Sequence, residues 1–146
     1  IHQFAFDSDA DNQFLPHNYA RNPGGYLGTH DNDTTAGWWR SLDDETRQKA
    51  ADYLGISTFD GVKQVVRRMM TALSASVADY VIFTMQDLRV EGSEKRINTP
   101  STTGCWEYMV EPQAEDFVWL EKITRLYGRA PKHGDEAAEG KINDTK

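Results

Sequence analysis

The sequence predicts an α/β fold built on a parallel sheet, and three observations carry that expectation. Extended and helical patterns alternate along the chain. The run Tyr80-Val-Ile-Phe-Thr-Met85 is apolar on both phases, as a strand buried on both faces should be. Two of the extended segments run into acids, Asp31 and Asp87. Strand–helix alternation implies βα units. In such folds sites lie at the carboxyl ends of the strands, which singles out residues 29–33.

The elements follow in order. Segment 1–6, IHQFAF, alternates and is aromatic, so Gln3–Phe6 is expected as the end of a strand. Residues 7–25 are rich in Asp, Asn, Pro and Gly and read as a long loop, a feature uncommon unless functional. Tyr26–Thr29 is expected as a second strand, weakened by Gly28. Asp33 or Thr34 can cap a helix that begins there, and Asp33 is assigned that structural role.

A further helix is expected from Asp43, with Ser41 or Asp43 as cap, Asp44 and Glu45 in the first turn and Gly55 as the stop. In the next segment Val62, Val65, Val66, Met69, Met70, Leu73 and Val77 recur at three- and four-residue steps. They predict a helix over 58–78 capped by Ser57 or Thr58. Tyr80–Met85 is the third strand. Residues 91–106 are polar and loop-like, and Glu115–Tyr127 is helical, with Phe117, Leu120, Ile123 and Tyr127 on one side. Residues 1–129 form the structured unit; 130–146 are polar and expected to be disordered.

At 146 residues the chain has the size of one domain, and 38% apolar residues suffice for a core. The formal charge of −7, from 23 acids against 16 bases, disfavours nucleic acid or an anionic membrane as partner, and no basic cluster offsets it. No apolar run approaches the ~18 residues of a membrane span. The single Cys105 excludes an internal disulfide and suits a reducing, cytoplasmic setting. Ile1 in place of an initiator Met is expected of a piece of a longer protein.

Asp7-Ser-Asp-Ala-Asp-Asn12 starts like a calcium loop. The sixth position is Asn12 rather than Gly, however, and the twelfth is Asn18 rather than Glu, so a solvated Asx-rich turn fits better. His17, His30, Asp31 and Asp33 match no common zinc spacing, and no metal or other cofactor is assigned. Cys105 has nothing beside it in sequence to lower its thiol pKa and reads as structural. Trp38, Trp39 and Trp106 fit either core packing or sugar platforms. His30 and Asp31, placed at a strand end before the helix cap, remain the functional candidates.

The stretches QFAFDSDADNQFLPHNY (3–19), YLGTHDNDTTAGWWRSL (26–42), SVADYVIFTMQDLRVEGSEKRINTP (76–100) and WLEKITRLYGR (119–129) resemble the C-terminal part of the amylomaltases. These are bacterial 4-alpha-glucanotransferases, also called disproportionating enzymes. FLPHNY, GTHDNDT and GSEKRINTP in that order make the resemblance specific. It implies the last three βα units of a (β/α)8 barrel, and transfer of alpha-1,4-glucan segments between maltooligosaccharides with retention. In such enzymes an Asp attacks the anomeric carbon and a Glu is acid, then base. A third carboxylate, preceded by His, binds the sugar at the cleaved position. By resemblance His30 and Asp31 take that role, Asp31 as transition-state stabiliser, and Phe4, His17, Asn18, Asn98 and Pro100 are sugar-contacting or rim positions.

The nucleophile and acid/base of the family lie on earlier strands, and no acid here matches their motifs. The chain alone is therefore expected to be inactive, and open strand edges to favour self-association. A noncatalytic carbohydrate-binding or interaction module is the other reading. The family's Gly after Asn-Thr-Pro and its Asn-Trp-x-Trp-Arg run are replaced by Ser101 and by Cys105-Trp106-Glu107-Tyr108-Met109, which leaves the role of the 101–110 loop open.

Overall fold

The computed structural model describes residues 1–20 and 23–130, so the tail expectation for 131–146 lies outside the described residues. Two short strands, β1 (Gly24–Tyr26) and β2 (Tyr80–Ile82), pair in parallel with Gly24 opposite Tyr80 and Tyr26 opposite Ile82. Helices α1 (Thr35–Ser41), α2 (Asp44–Leu54) and α3 (Val62–Ser74) lie between them in sequence, and α4 (Met85–Arg89) and α5 (Val118–Leu126) follow β2. No helix among the described residues is long and apolar enough to cross a membrane.

Helix α3 is the centre of the core. Val65, Val66, Met69, Met70 and Leu73 are fully buried and make one continuous apolar stripe. Helices α1, α2 and α5 pack against α3. Gly25 brings β1 close: a Cβ there would sit 2.8 Å from Leu73 Cδ1, so the missing side chain lets the helix lie on the strand. Asp43 caps α2 through Thr46 N–H, and Gly55 ends it in the left-handed region at φ 63°, both as the sequence indicates. Arg68 then donates twice to Leu54 O, satisfying a carbonyl at the end of α2. Arg129 closes the far side, its guanidinium donating to the carbonyls of Ser74, Ser76 and Ala78. That clamp fastens the end of the WLEKITRLYGR stretch to the α3–β2 turn.

Several expectations are corrected. Gln3–Phe6 is no strand; His2–Phe6 is a 3-10 helix with Phe4 N–H bonded to Ile1 O. His2, Gln3, Ala5 and Phe6 are buried while Phe4 is out, a spacing that four residues of alternation cannot distinguish from a strand. A single ladder-like bond, Gln3 N–H to Leu27 O, ties this turn to the chain after β1. The second strand ends at Tyr26 instead of beginning there, and it is Gly25 that allows its close approach to α3.

β2 is shorter than predicted and is not buried on both faces. Tyr80 is 73% and Ile82 46% exposed, while Val81 packs on the core. Helices cover only the Val81 phase of the pleat. Thr84 stops the strand: its hydroxyl accepts from Asp87 N–H and the Asp87 carboxylate accepts from Thr84 N–H, a capping box that turns Met85 into α4. Asp87 is therefore no strand-end acid.

Helix α3 begins at Val62 after Gly61, since Ser57–Asp60 closes a turn of its own through Ser57 N–H to Asp60 Oδ2. It ends at Ser74, which leaves Val77 exposed beyond it. Helix α5 buries Ile123, but Phe117 and Tyr127 stay exposed. Thr34, not Asp33, caps α1 by accepting from Gly37 N–H.

Candidate functional site

The loop after β1 and the segment after α4 meet at the carboxyl end of the strands. Their contact spans more than sixty residues of sequence, and hydrogen bonds between polar groups carry it. Asn98 Nδ2 donates to Asp31 Oδ1 at 2.6 Å, and His30 Nε2 lies 3.3 Å from Asp31 Oδ2. Arg96 donates from one guanidinium nitrogen to Asp31 O at 2.7 Å and from Nε to Asn98 O at 2.7 Å. The same arginine thus sets the backbone of both partners whose side chains meet. The Asp31 side chain remains 53% exposed, so a carboxylate that accepts one side-chain hydrogen bond, from Asn98, keeps lone-pair sites for a ligand. No group of three or more His, Cys, Asp or Glu side chains gathers as a metal site among the described residues.

Beneath this cluster the loop is pinned. Thr29 N–H and hydroxyl both donate to Asn32 Oδ1, a tight Asx closure of the His30-Asp31 turn. Asp33, freed from capping, accepts the Ser93 hydroxyl at 2.7 Å, and Gln3 Nε2 donates to Asp33 O at 3.0 Å. Gly37 makes the Asp33–Ser93 bridge possible: a Cβ there would overlap Ser93 Oγ and come within 2.6 Å of both Asp33 carboxylate oxygens. Below lies a cavity of about 20 Å³, lined among others by Thr35, Thr84 and Asp87. The buried Asp87 accepts from Thr35 at 2.6 Å and from Thr84 at 2.9 Å. Burial pushes its carboxyl above the usual range, and the Thr35 hydrogen bond opposes that shift.

Of the residues singled out from sequence, His30, Asp31 and Asn98 come together. Pro100 is exposed two residues beyond Asn98. Phe4 is exposed and sets its ring edge-on to Phe14 at 5.7 Å. His17 bonds through Nδ1 to Tyr53 OH, and Asn18 donates to Ala10 O and Asn12 O. Neither makes a hydrogen bond to the Asp31 cluster among the described residues; they shape the preceding loop. Within that loop Asn12 Oδ1 accepts from Phe14 N–H, an Asx turn, while its Nδ2 reaches Phe4 O, Asp7 Oδ1 and Ser8 Oγ. Of the tryptophans, Trp39 is core, Trp38 packs on Phe6, and Trp106 lies with its ring 4.9 Å from that of His30. Reading the sequence alone overlooked Arg96, Ser93 and Gln3. The signal was the block GSEKRINTP itself, in which Ser93 and Arg96 stand at fixed offsets from Asn98.

The family model described as 4-alpha-glucanotransferase matches residues 1–114. A 4-alpha-glucanotransferase of Synechocystis is 43% identical over 137 residues, 90% of this chain and 26% of that protein. The chloroplastic/amyloplastic 4-alpha-glucanotransferase of Arabidopsis thaliana is 42% identical over 135 residues, 87% of this chain and 23% of that protein. The solved amylomaltase of Streptococcus agalactiae in complex with acarbose superposes with a TM-score of 0.78 at 30% identity. It covers 90% of this chain, which spans 27% of the amylomaltase. The chain therefore spans about a quarter of the length of these relatives. With the match covering most of the chain, and including the loop that presents Asp31 and the segment that presents Asn98, the chain belongs to the 4-alpha-glucanotransferase family.

Proposed function

We propose that this chain supplies the sugar-gripping carboxylate of a retaining 4-alpha-glucanotransferase acting on alpha-1,4-glucans or maltooligosaccharides. The observation that carries the reading is Asp31: half-exposed, at the carboxyl end of the parallel strands, oriented from both sides by His30 and Asn98. A carboxylate so held accepts hydrogen bonds from ring hydroxyls. Those bonds strengthen as the sugar flattens toward an oxocarbenium ion, and the fixed negative charge favours the positive charge that develops. Phe4 and Pro100 line the approach; His17 and Asn18 hold its rim.

The chain corresponds to the last three βα units of a (β/α)8 barrel within residues 1–129. The first unit is represented by the His2–Phe6 turn, and β1 and β2 are the seventh and eighth strands. Nucleophile and acid/base belong to the earlier strands of the parent enzyme, so the 146 residues alone grip sugar without cleaving it. Their exposed strand face at Tyr80 and Ile82 favours self-association of the isolated chain, and the parent works in the cytoplasm.

The test has two arms. Maltoheptaose titrated into the isotope-labelled chain should shift the amide resonances of residues 30–32 and 98, and Asp31→Asn should abolish those shifts. Maltotriose incubated with the chain should yield no longer oligosaccharides. Unmoved resonances, or a ladder of products, would overturn the reading.

A further inference from the structure

We infer that Trp106 is a platform for a second glucosyl ring, one unit along the glucan from the ring gripped by Asp31. The inference rests on the reading of Asp31 as a sugar-binding carboxylate and names the neighbouring subsite.

Trp106 is set apart from the other three tryptophans by its surroundings. Trp39 is buried, Trp38 packs on Phe6 at 5.8 Å, and Trp119 has the cations of Arg67 and Lys122 over its ring at 4.8 and 5.1 Å. Trp106 is 63% exposed, and its packed side meets the His30 imidazole at 4.9 Å with a 40° tilt. His30 in turn contacts Asp31. An indole, an imidazole and a carboxylate thus follow one another in direct contact, the first with an open face.

The backbone holds the ring there at a cost. Trp106 has φ 69°, in the left-handed region, where a bulky side chain is strained. Its N–H donates to Ile97 O at 2.8 Å, immediately before Asn98, so Trp106 is registered against the residue that orients Asp31. Cys105 steadies the turn, its sulfur accepting from Thr99 N–H at 3.4 Å. Trp106 is thus held by its backbone and by one ring contact, with His30, among the described residues.

Its chemistry fits a pyranose. The C–H face of a glucosyl ring carries partial positive charge and apolar area, and the indole face is electron-rich. A single sugar held by Asp31 leaves Trp106 unused, whereas a chain that continues past Asp31 lies across it. The loop that departs from the family's Asn-Trp-x-Trp-Arg run thereby sets preference for chain length.

The experiment uses the 146-residue chain labelled with nitrogen-15, whose four indole N–H signals are assigned by substitution. Glucose should shift the amides of residues 30–32 and 98 and leave the Trp106 indole unmoved; maltotriose should shift both. Trp106→Ala should cut the gain in affinity from glucose to maltotriose about tenfold, with Trp106→Phe between. If maltotriose moves the Asp31 region but not Trp106, or if Trp106→Ala leaves the gain from glucose to maltotriose intact, the platform is refuted and the grip by Asp31 stands. If neither sugar moves residues 30–32 or 98, both readings fall. Because Trp106 is exposed, its removal leaves the fold intact, checked by unchanged spectra of the α3 core.

Discussion

Helix α3 and the loop carrying Asp31 are held in place by different forces. In α3 every core position is fully buried, and the contacts come from apolar area. In the loop the side chains that matter are half exposed, and order comes from hydrogen bonds across long stretches of chain: Asp31 with Asn98, Asp33 with Ser93, Gln3 with Asp33. The first kind of order sets whether the chain folds. The second sets where one carboxylate points, at little gain in stability, because exposed polar pairs exchange for water at nearly equal free energy. Changes to the two regions should therefore separate stability from binding.

The largest stability effect is expected from Leu73→Ala. Leu73 is fully buried and packs directly on Gly25 of β1, so its removal opens a cavity at the helix–strand contact. The loss should be about 3 kcal/mol in denaturant unfolding. Under native conditions the resonances of residues 30–32 and 98 should keep their positions. A variant that stays fully stable, or one whose Asp31 region moves as far as the core, would erase the distinction between the regions.

How much of this was legible in sequence follows the same division. Helix α2, with Asp43 and Gly55 at its ends, and the α3 stripe were visible because local pattern and tertiary burial agree there. The strands were misjudged in length and burial. Gly24-Gly25 looks like a loop until Leu73 is seen lying against it, and Thr84–Asp87 looks like strand until its capping box is seen. His30 and Asp31 were singled out from their place after a strand, and Asn98 from family resemblance; the structure brings the three side chains together. Arg96 and Ser93 were missed because each acts on a residue more than fifty positions away, and no local rule encodes that distance. Asp33 was misassigned for the same reason: Thr34 caps the helix equally well, leaving Asp33 for Ser93.

The second expected effect is on pH dependence. His2 is fully buried, neither of its ring nitrogens has a hydrogen-bond partner among the described residues, and its ring lies 5.4 Å from that of Phe6. Burial holds its pKa down to about 3. The unfolded chain takes up a proton near pH 6.5 and the folded chain does not, so stability is complete above that pH. It should fall as the pH drops from about 6.5 toward 3, by roughly 3 kcal/mol near pH 4. Urea unfolding at stepped pH values reads this slope. His2→Leu should remove the His2 part of it and raise stability at neutral pH, since two unpartnered polar atoms leave the core. An identical slope in the variant would show that the acid lability originates elsewhere.

The smallest effect on stability, and the sharpest probe of the loop, is expected from Ser93→Ala. The hydroxyl makes one bond, to the Asp33 carboxylate, at an exposed position. Its loss should cost under about 1 kcal/mol of unfolding free energy, because water can replace it. The same bond joins the Ser93–Lys95 turn to the loop that carries Asp31, three residues before Arg96 and five before Asn98. Releasing it lets the two segments separate, so the Asn98 amide spends less time on Asp31 and the carboxylate is less well aimed before ligand arrives. If Asp31 grips sugar as proposed, maltoheptaose should bind the variant about threefold more weakly than the native chain, an energetic loss comparable to the missing bond. Backbone dynamics measured on residues 29–33 and 93–98 should show the two segments loosening together. If affinity falls without added motion in either segment, the Ser93 hydroxyl touches the sugar itself. If motion rises without loss of affinity, the Arg96 bridge alone suffices to aim Asp31.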